Sequence, residues 1–142
     1  MRYYIEATCA EGHPSTFPTA GASEPIAVAV TTDTQAPVVK HKRVKSALPG
    51  KPLTIRAEVR DPSGVKWIRL RYRSVNQHHD YKSLDMVPTG NEDRFSIVVD
   101  AEDILPRWDF MYLIEVMDNH GNGRIYPDLE KETPYIVVKL ER

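Results

Sequence analysis

Three clusters of residues in this chain could do chemistry. Asp100, Glu102, Asp103 and Asp109 flank Trp108. Paired carboxylates hydrolyse glycosidic bonds when one pKa is raised and a cleft separates them. His78, His79 and Asp80 form a ligand-like run. Neighbours on an extended chain point to opposite sides, so the two histidines cannot easily hold one metal, and no second Cys or His pair stands at zinc spacing. Asp118, Asn119, Gly121 and Asn122 have the composition of a calcium loop. Calcium takes roughly six to eight oxygen ligands, and the longer pattern ending in Glu is missing. No GxSxG and no phosphate-cradling glycine loop occurs. The expectation is a chain with no catalytic residues, no metal site and no cofactor. Its histidine run reads as a polar loop, its acidic cluster as a solvated one, and DNHGNG as a turn that needs glycine.

Binding is the stronger possibility. Alternation along IRLRYR and FMYLIEVM turns Trp67, Arg69, Arg71 and Arg73 to one side, with Met111, Leu113, Glu115 and Met117 beside them on a neighbouring strand. Trp67, Arg69, Arg71, Met111, Leu113 and Glu115 are the expected contact patch. Exposed Trp, Met and Leu in one cluster mark interfaces. A second expectation is a sugar-stacking platform made by exposed aromatics such as Trp67, Trp108, Tyr81 and Tyr126. Tyr72, facing inward, would not join it.

These side chains need elements to hold them. PLTIRAEVR (52–60) alternates cleanly, with Leu53, Ile55, Ala57 and Val59 on one face. DPSG (61–64) is a turn with proline second. IRLRYR (68–73) alternates again. YKSLDMV (81–87), RFSIVV (94–99), FMYLIEVM (110–117) and YIVVKL (135–140) follow, and PVVKH (37–41) opens the set. AEDILP (101–106) reads as a crossover turn. Seven or so short strands separated by turn residues predict an all-β fold. Each sheet is apolar on one face, so two antiparallel sheets must close on each other as a Greek-key β-sandwich. Tyr112, inward near the start of the sixth strand, is placed like a corner tyrosine.

The chain also repeats itself. Displaced by 109 positions, its ends align without a gap, and seven of 28 pairs are identical. Tyr3, Ile5, Glu6, Gly12, Pro18, Pro25 and Val28 fall on Tyr112, Ile114, Glu115, Gly121, Pro127, Pro134 and Val137. These are strand, turn-glycine and strand-ending positions, the mark of tandem domains. The expected organisation is therefore terminal strands of a partial repeat at 1–30, a linker at 31–36 and a complete sandwich at 37–142. The linker region, polar and ending in Pro37, fits that role. An isolated hairpin is marginal in water. The segment 1–30 should therefore be mobile or add a strand to an exposed sheet edge.

The stretches GKPLTIRAEVRDPSGVKWIRLRYR and MYLIEVMDNHGNGRIYP resemble the fibronectin type III-like or immunoglobulin-like modules appended to large bacterial secreted enzymes, often carbohydrate-active ones. The resemblance covers 36–142 as a whole and 1–30 in part. It implies a spacer or docking module of a larger protein, extracellular or at the cell surface, whose partners are neighbouring domains or polysaccharide. It carries no catalytic residues over. RYYIEA follows Met1 without the basic and apolar segments of a signal peptide, so either a cytoplasmic protein or a piece of a longer chain is expected, and the repeat favours a piece. A net charge of −1 gives no electrostatic case for nucleic acid. No apolar run approaches a membrane span. The single Cys9 excludes an internal disulfide.

Overall fold

The computed structural model describes residues 1–28 and 32–142. The chain divides into two compact units, Met1–Asp33 and Thr34–Arg142. Part of the boundary expected near residue 30 lies outside the described residues.

The first unit holds β1 (Arg2–Tyr3), β2 (Ile5–Thr8), β3 (Pro14–Phe17) and β4 (Ile26–Ala27), with a 3-10 turn at Gly21–Ser23. β2 and β3 form a hairpin, and β1 pairs antiparallel with β4. Gly12 in the hairpin turn has φ +82°, open to glycine at no steric cost.

The second unit holds β5 (Val38–Lys40), β6 (Ser46–Ala47), β7 (Leu53–Arg60), β8 (Val65–Ser74), β9 (Lys82–Asp85), β10 (Val87–Pro88), β11 (Arg94–Val99), β12 (Phe110–Asp118), β13 (Gly123–Tyr126) and β14 (Ile136–Leu140). One sheet runs β10-β11-β7-β5. The other runs β6-β14-β12-β8-β9, with β13 also on β12. All pairs are antiparallel except β14 with β6. This is the expected two-sheet sandwich, with more strands than seven. The run at 81–87 is broken at Met86, whose buried side chain ends β9 before β10 begins in the other sheet. β6 and β13 are added short strands.

Alternation explains the interior. Ile55, Ala57, Val59 and Val99 come from the first sheet; Ile68, Leu70, Tyr72, Phe110, Tyr112, Ile114, Val116, Ile136, Val138 and Leu140 come from the second. Each of these side chains removed from water contributes about 1.5–3 kcal/mol for the large aliphatics and aromatics. Ile104, in the segment expected as a plain crossover, is fully buried beneath them, and its carbonyl accepts from the Gly50 N–H at 2.9 Å. That anchored turn closes one end of the sandwich. No helix among the described residues is long and apolar enough to cross a membrane.

Candidate functional site

β8 and β12 are neighbours along their whole length, as the sequence expectation required: Glu115 sits opposite Arg69, Leu113 opposite Arg71 and Met117 opposite Trp67. Of the six expected patch residues, five lie at least partly exposed on this face: Trp67, Arg69, Arg71, Leu113 and Glu115. Met111 does not. It is only 4% exposed, flanked by Arg73 on β8 and Val137 on β14. The alternation pointed it to the correct side, but long neighbouring stems cover it. An arginine stem shields apolar surface while its head stays wet.

The charges on this face are paired. Arg69 Nε lies 3.3 Å from Asp85 Oδ1 on β9. Arg71 reaches Glu115 at 3.7 Å. Arg73 donates to the His79 carbonyl at 3.0 Å. The same guanidiniums stack on rings. Arg69 lies 4.2 Å from the Trp67 ring centroid, Arg73 4.7 Å and Arg71 5.8 Å from that of Tyr81. The remaining sugar-platform candidates carry arginines too: Arg107 is 5.9 Å from Trp108, and Arg43 5.9 Å from Tyr126. A guanidinium over an aromatic face is held by the ring quadrupole. Beside Trp67 opens a cleft of about 600 Å³. Met117, Ile125 and Leu129 give it apolar walls, while Glu115, Asp128 and Arg124 line its rim. Asp128 accepts from the Glu130 N–H, which holds its pKa below the ordinary carboxylate range.

A comparison with protein families and with curated proteins finds no match for this chain.

A second cleft, of about 520 Å³, collects residues that the sequence set apart as two clusters: His78, His79 and Asp80 with Glu102 and Asp103. Asp100 and Glu102 are exposed, as expected of a solvated acidic loop, while Asp103 and Asp109 are partly buried. Asp103 accepts from the Tyr72 hydroxyl at 2.7 Å and pairs with Lys82. Burial opposes its ionisation, but hydrogen bonds from Lys82 and Tyr72 outweigh burial and keep its pKa low. Burial and the same carboxylate push the Tyr72 hydroxyl up. Asp109 likewise accepts from the Leu140 N–H at 3.1 Å and pairs with Arg142. His79 Nδ1 lies 2.8 Å from Ser74 Oγ, fixing the loop after β8. These acids serve as cross-links between strands and loops. A glycosidase needs one carboxyl with a raised pKa; the shift at Asp103 runs the other way.

The DNHGNG loop turns around Asp118. Asp118 is fully buried, and its Oδ1 accepts from the N–H groups of His120 and Asn122, both at 2.8 Å, while Oδ2 accepts from Asn122 Nδ2 at 2.7 Å. Burial would raise its pKa; the Asn122 and backbone bonds reverse that and hold it low.

His41, which no motif in the sequence marks, is part of a relay. A backbone carbonyl can only accept, so His41 Nδ1–H donates to Arg56 O at 2.6 Å. Nε2 then accepts from the Tyr112 hydroxyl at 2.7 Å, which in turn accepts from the Val44 N–H at 3.2 Å. The Tyr112 hydroxyl thus ties the segment between β5 and β6 to β12 from 68 residues away; a corner tyrosine bonds backbone only a few residues upstream, so the expected likeness does not extend to this contact. Only the inward position of Tyr112 signalled this in the sequence.

Proposed function

We propose that Thr34–Arg142 is a non-catalytic, immunoglobulin-like module of a larger protein, and that it docks on a neighbouring protein domain through its β8–β12 face. The strand orders support the immunoglobulin-like assignment. β5-β7-β11-β10 and β14-β12-β8 follow the ABED and GFC sequence of such sandwiches, with β9 as an added edge strand. An extracellular or cell-surface place in a bacterial protein goes with that reading.

One observation carries the choice of partner. Each of the four aromatics expected to form a sugar platform, Trp67, Trp108, Tyr81 and Tyr126, has an arginine against its ring. A sugar would first have to displace a charged neighbour, which at Trp67, Tyr81 and Tyr126 includes an ion-paired arginine. A protein partner need not: Trp, Tyr and Arg held in place are what protein interfaces use as anchors. The apolar cleft beside Trp67, rimmed by Glu115 and Arg124, adds a pocket for such an anchor from the other side. Polysaccharide remains the second reading, favoured by the 40% exposure of Trp108.

Affinity electrophoresis through gels containing a panel of plant, fungal and bacterial polysaccharides separates the two. The docking reading expects unchanged mobility in every gel. Retardation that is lost on Trp67→Ala or Trp108→Ala would overturn it in favour of sugar binding.

A further inference from the structure

We infer that residues 1–28 are the closing hairpin of another copy of the sandwich, and that they present a binding surface for the rest of that copy. This inference stands apart from the docking reading above. The sequence repeat suggested kinship; the geometry gives it a register. β2 pairs with β3 through Ile5–Phe17, Glu6–Thr16, Ala7–Ser15 and Thr8–Pro14. β12 pairs with β13 through Ile114–Tyr126, Glu115–Ile125, Val116–Arg124 and Met117–Gly123. Adding 109 to either member of each β2–β3 pair gives the β12–β13 pair, four times out of four; the β1–β4 pairs Arg2–Ala27 and Tyr3–Ile26 fall one residue away from the β12–β14 pairs Met111–Val137 and Tyr112–Ile136. The turns agree as well. The Cys9 N–H donates to His13 O at 3.1 Å, and the Asp118 N–H to Asn122 O at 3.0 Å. Gly12 and Gly121 have φ +82° and +89°.

What differs is burial. Ile114 is fully buried, while Ile5 is 57% exposed; Tyr112 is fully buried, while Tyr3 is 43% exposed. Phe17, in the place of Tyr126, is 63% exposed. In the second unit these positions are covered by the opposite sheet, and the other edge of β12 is filled by β8. Among the described residues β2 pairs only with β3, so its other edge carries unpaired backbone groups, a template for a further strand. The occupant follows from the register. It is a strand built like β8, alternating aliphatic and basic residues, from a preceding copy of the sandwich in the parent polypeptide. A basic residue of that strand faces Glu6 as Arg69 faces Glu115, and the second sheet of that copy covers Tyr3, Ile5 and Phe17.

The second unit supplies the host for a test, because it contains β8 itself. In one chimera residues 114–126 are replaced by the sequence of residues 5–17; in a control they are replaced by residues 4–16, the same hairpin slipped by one. A slip of one residue turns every side chain to the wrong face. Amide hydrogen exchange is read at the four positions that should pair with β8. The inference expects exchange in the first chimera at least ~100-fold slower than in the control. Rates within a few-fold of each other, with both chimeras folded or both unfolded, would overturn it.

Discussion

The guanidinium of Arg69 lies 4.2 Å from the centroid of the Trp67 ring while its Nε lies 3.3 Å from Asp85. One side chain thus joins β8 to β9 and covers an aromatic face. Both Arg69 and Asp85 are exposed, so the ion pair itself is screened and adds little. The stacking is the larger part. Arg69→Ala should lower stability by about 0.5–1 kcal/mol in urea unfolding, and Asp85→Ala by less. A larger loss for Asp85→Ala would reverse that ranking.

Tyr112→Phe should be costlier. It leaves the Val44 N–H and His41 Nε2 without the hydroxyl that joins them, and a buried polar group left unpaired costs about 1–3 kcal/mol. The ring and its packing on Phe110 are retained, so the change isolates the hydroxyl. Equilibrium unfolding of the two proteins measures it; equal midpoints would show that the relay adds no stability.

The same relay predicts a pH dependence. Burial lowers the His41 pKa from its ordinary 6.5, the Arg56 carbonyl opposes that shift, and the Arg43 charge adds to it. The aromatic groups facing His41 are Tyr112 and Tyr126. Around and below pH 6.5 the unfolded chain therefore binds more protons at this site than the folded one. The contribution is fully present above pH 6.5 and is lost as pH falls toward the lower folded value. Urea midpoints should drop between pH 7.5 and 5.5, and His41→Gln should flatten the drop. An unchanged slope in that variant would remove His41 as its source.

Two glycines with the same φ should respond differently to alanine. Gly64 and Gly121 both sit at φ +89°. At Gly64 a Cβ would come within 2.6 Å of Asn119 Nδ2, which donates to Ser63 O at 2.8 Å and ties the turn after β7 to the turn after β12. At Gly121 nothing lies within 4 Å. Gly121→Ala should cost about 1 kcal/mol from backbone conformation alone. Gly64→Ala should cost about 1–2 kcal/mol more, because Asn119 must also give up its bond. Comparable costs would mean that Asn119 moves freely.

The long strands were legible because eight to ten residues display their period: β7 and β8 alternate, and one face of each must be buried. β6, with two residues, shows no period, and its pairing with β14 is set by tertiary packing. The break at Met86 was hidden because a methionine fits either sheet. Contact across chain distance was the other blind spot. Asp103 looked like one acid of a loop until Tyr72 and Lys82 converged on it, and His41 stood alone until Tyr112 met it from 71 residues away. At the patch, alternation gave the side of the sheet for Met111 but not the depth of its neighbours. The cation–π pairs were unreadable as pairs, since only strand register brings Arg71 and Arg73 to Tyr81.

The covering of Trp67 by Arg69 is the most direct point of test. With Trp108→Phe removing the only other indole, acrylamide quenching reports on Trp67 alone. Arg69→Ala in that background should raise the quenching constant about twofold or more, as the ring face becomes open to collision. A ring quenched equally with and without Arg69 would mean that it was free for a ligand to stack on, and the choice of a protein surface over a sugar platform would fail.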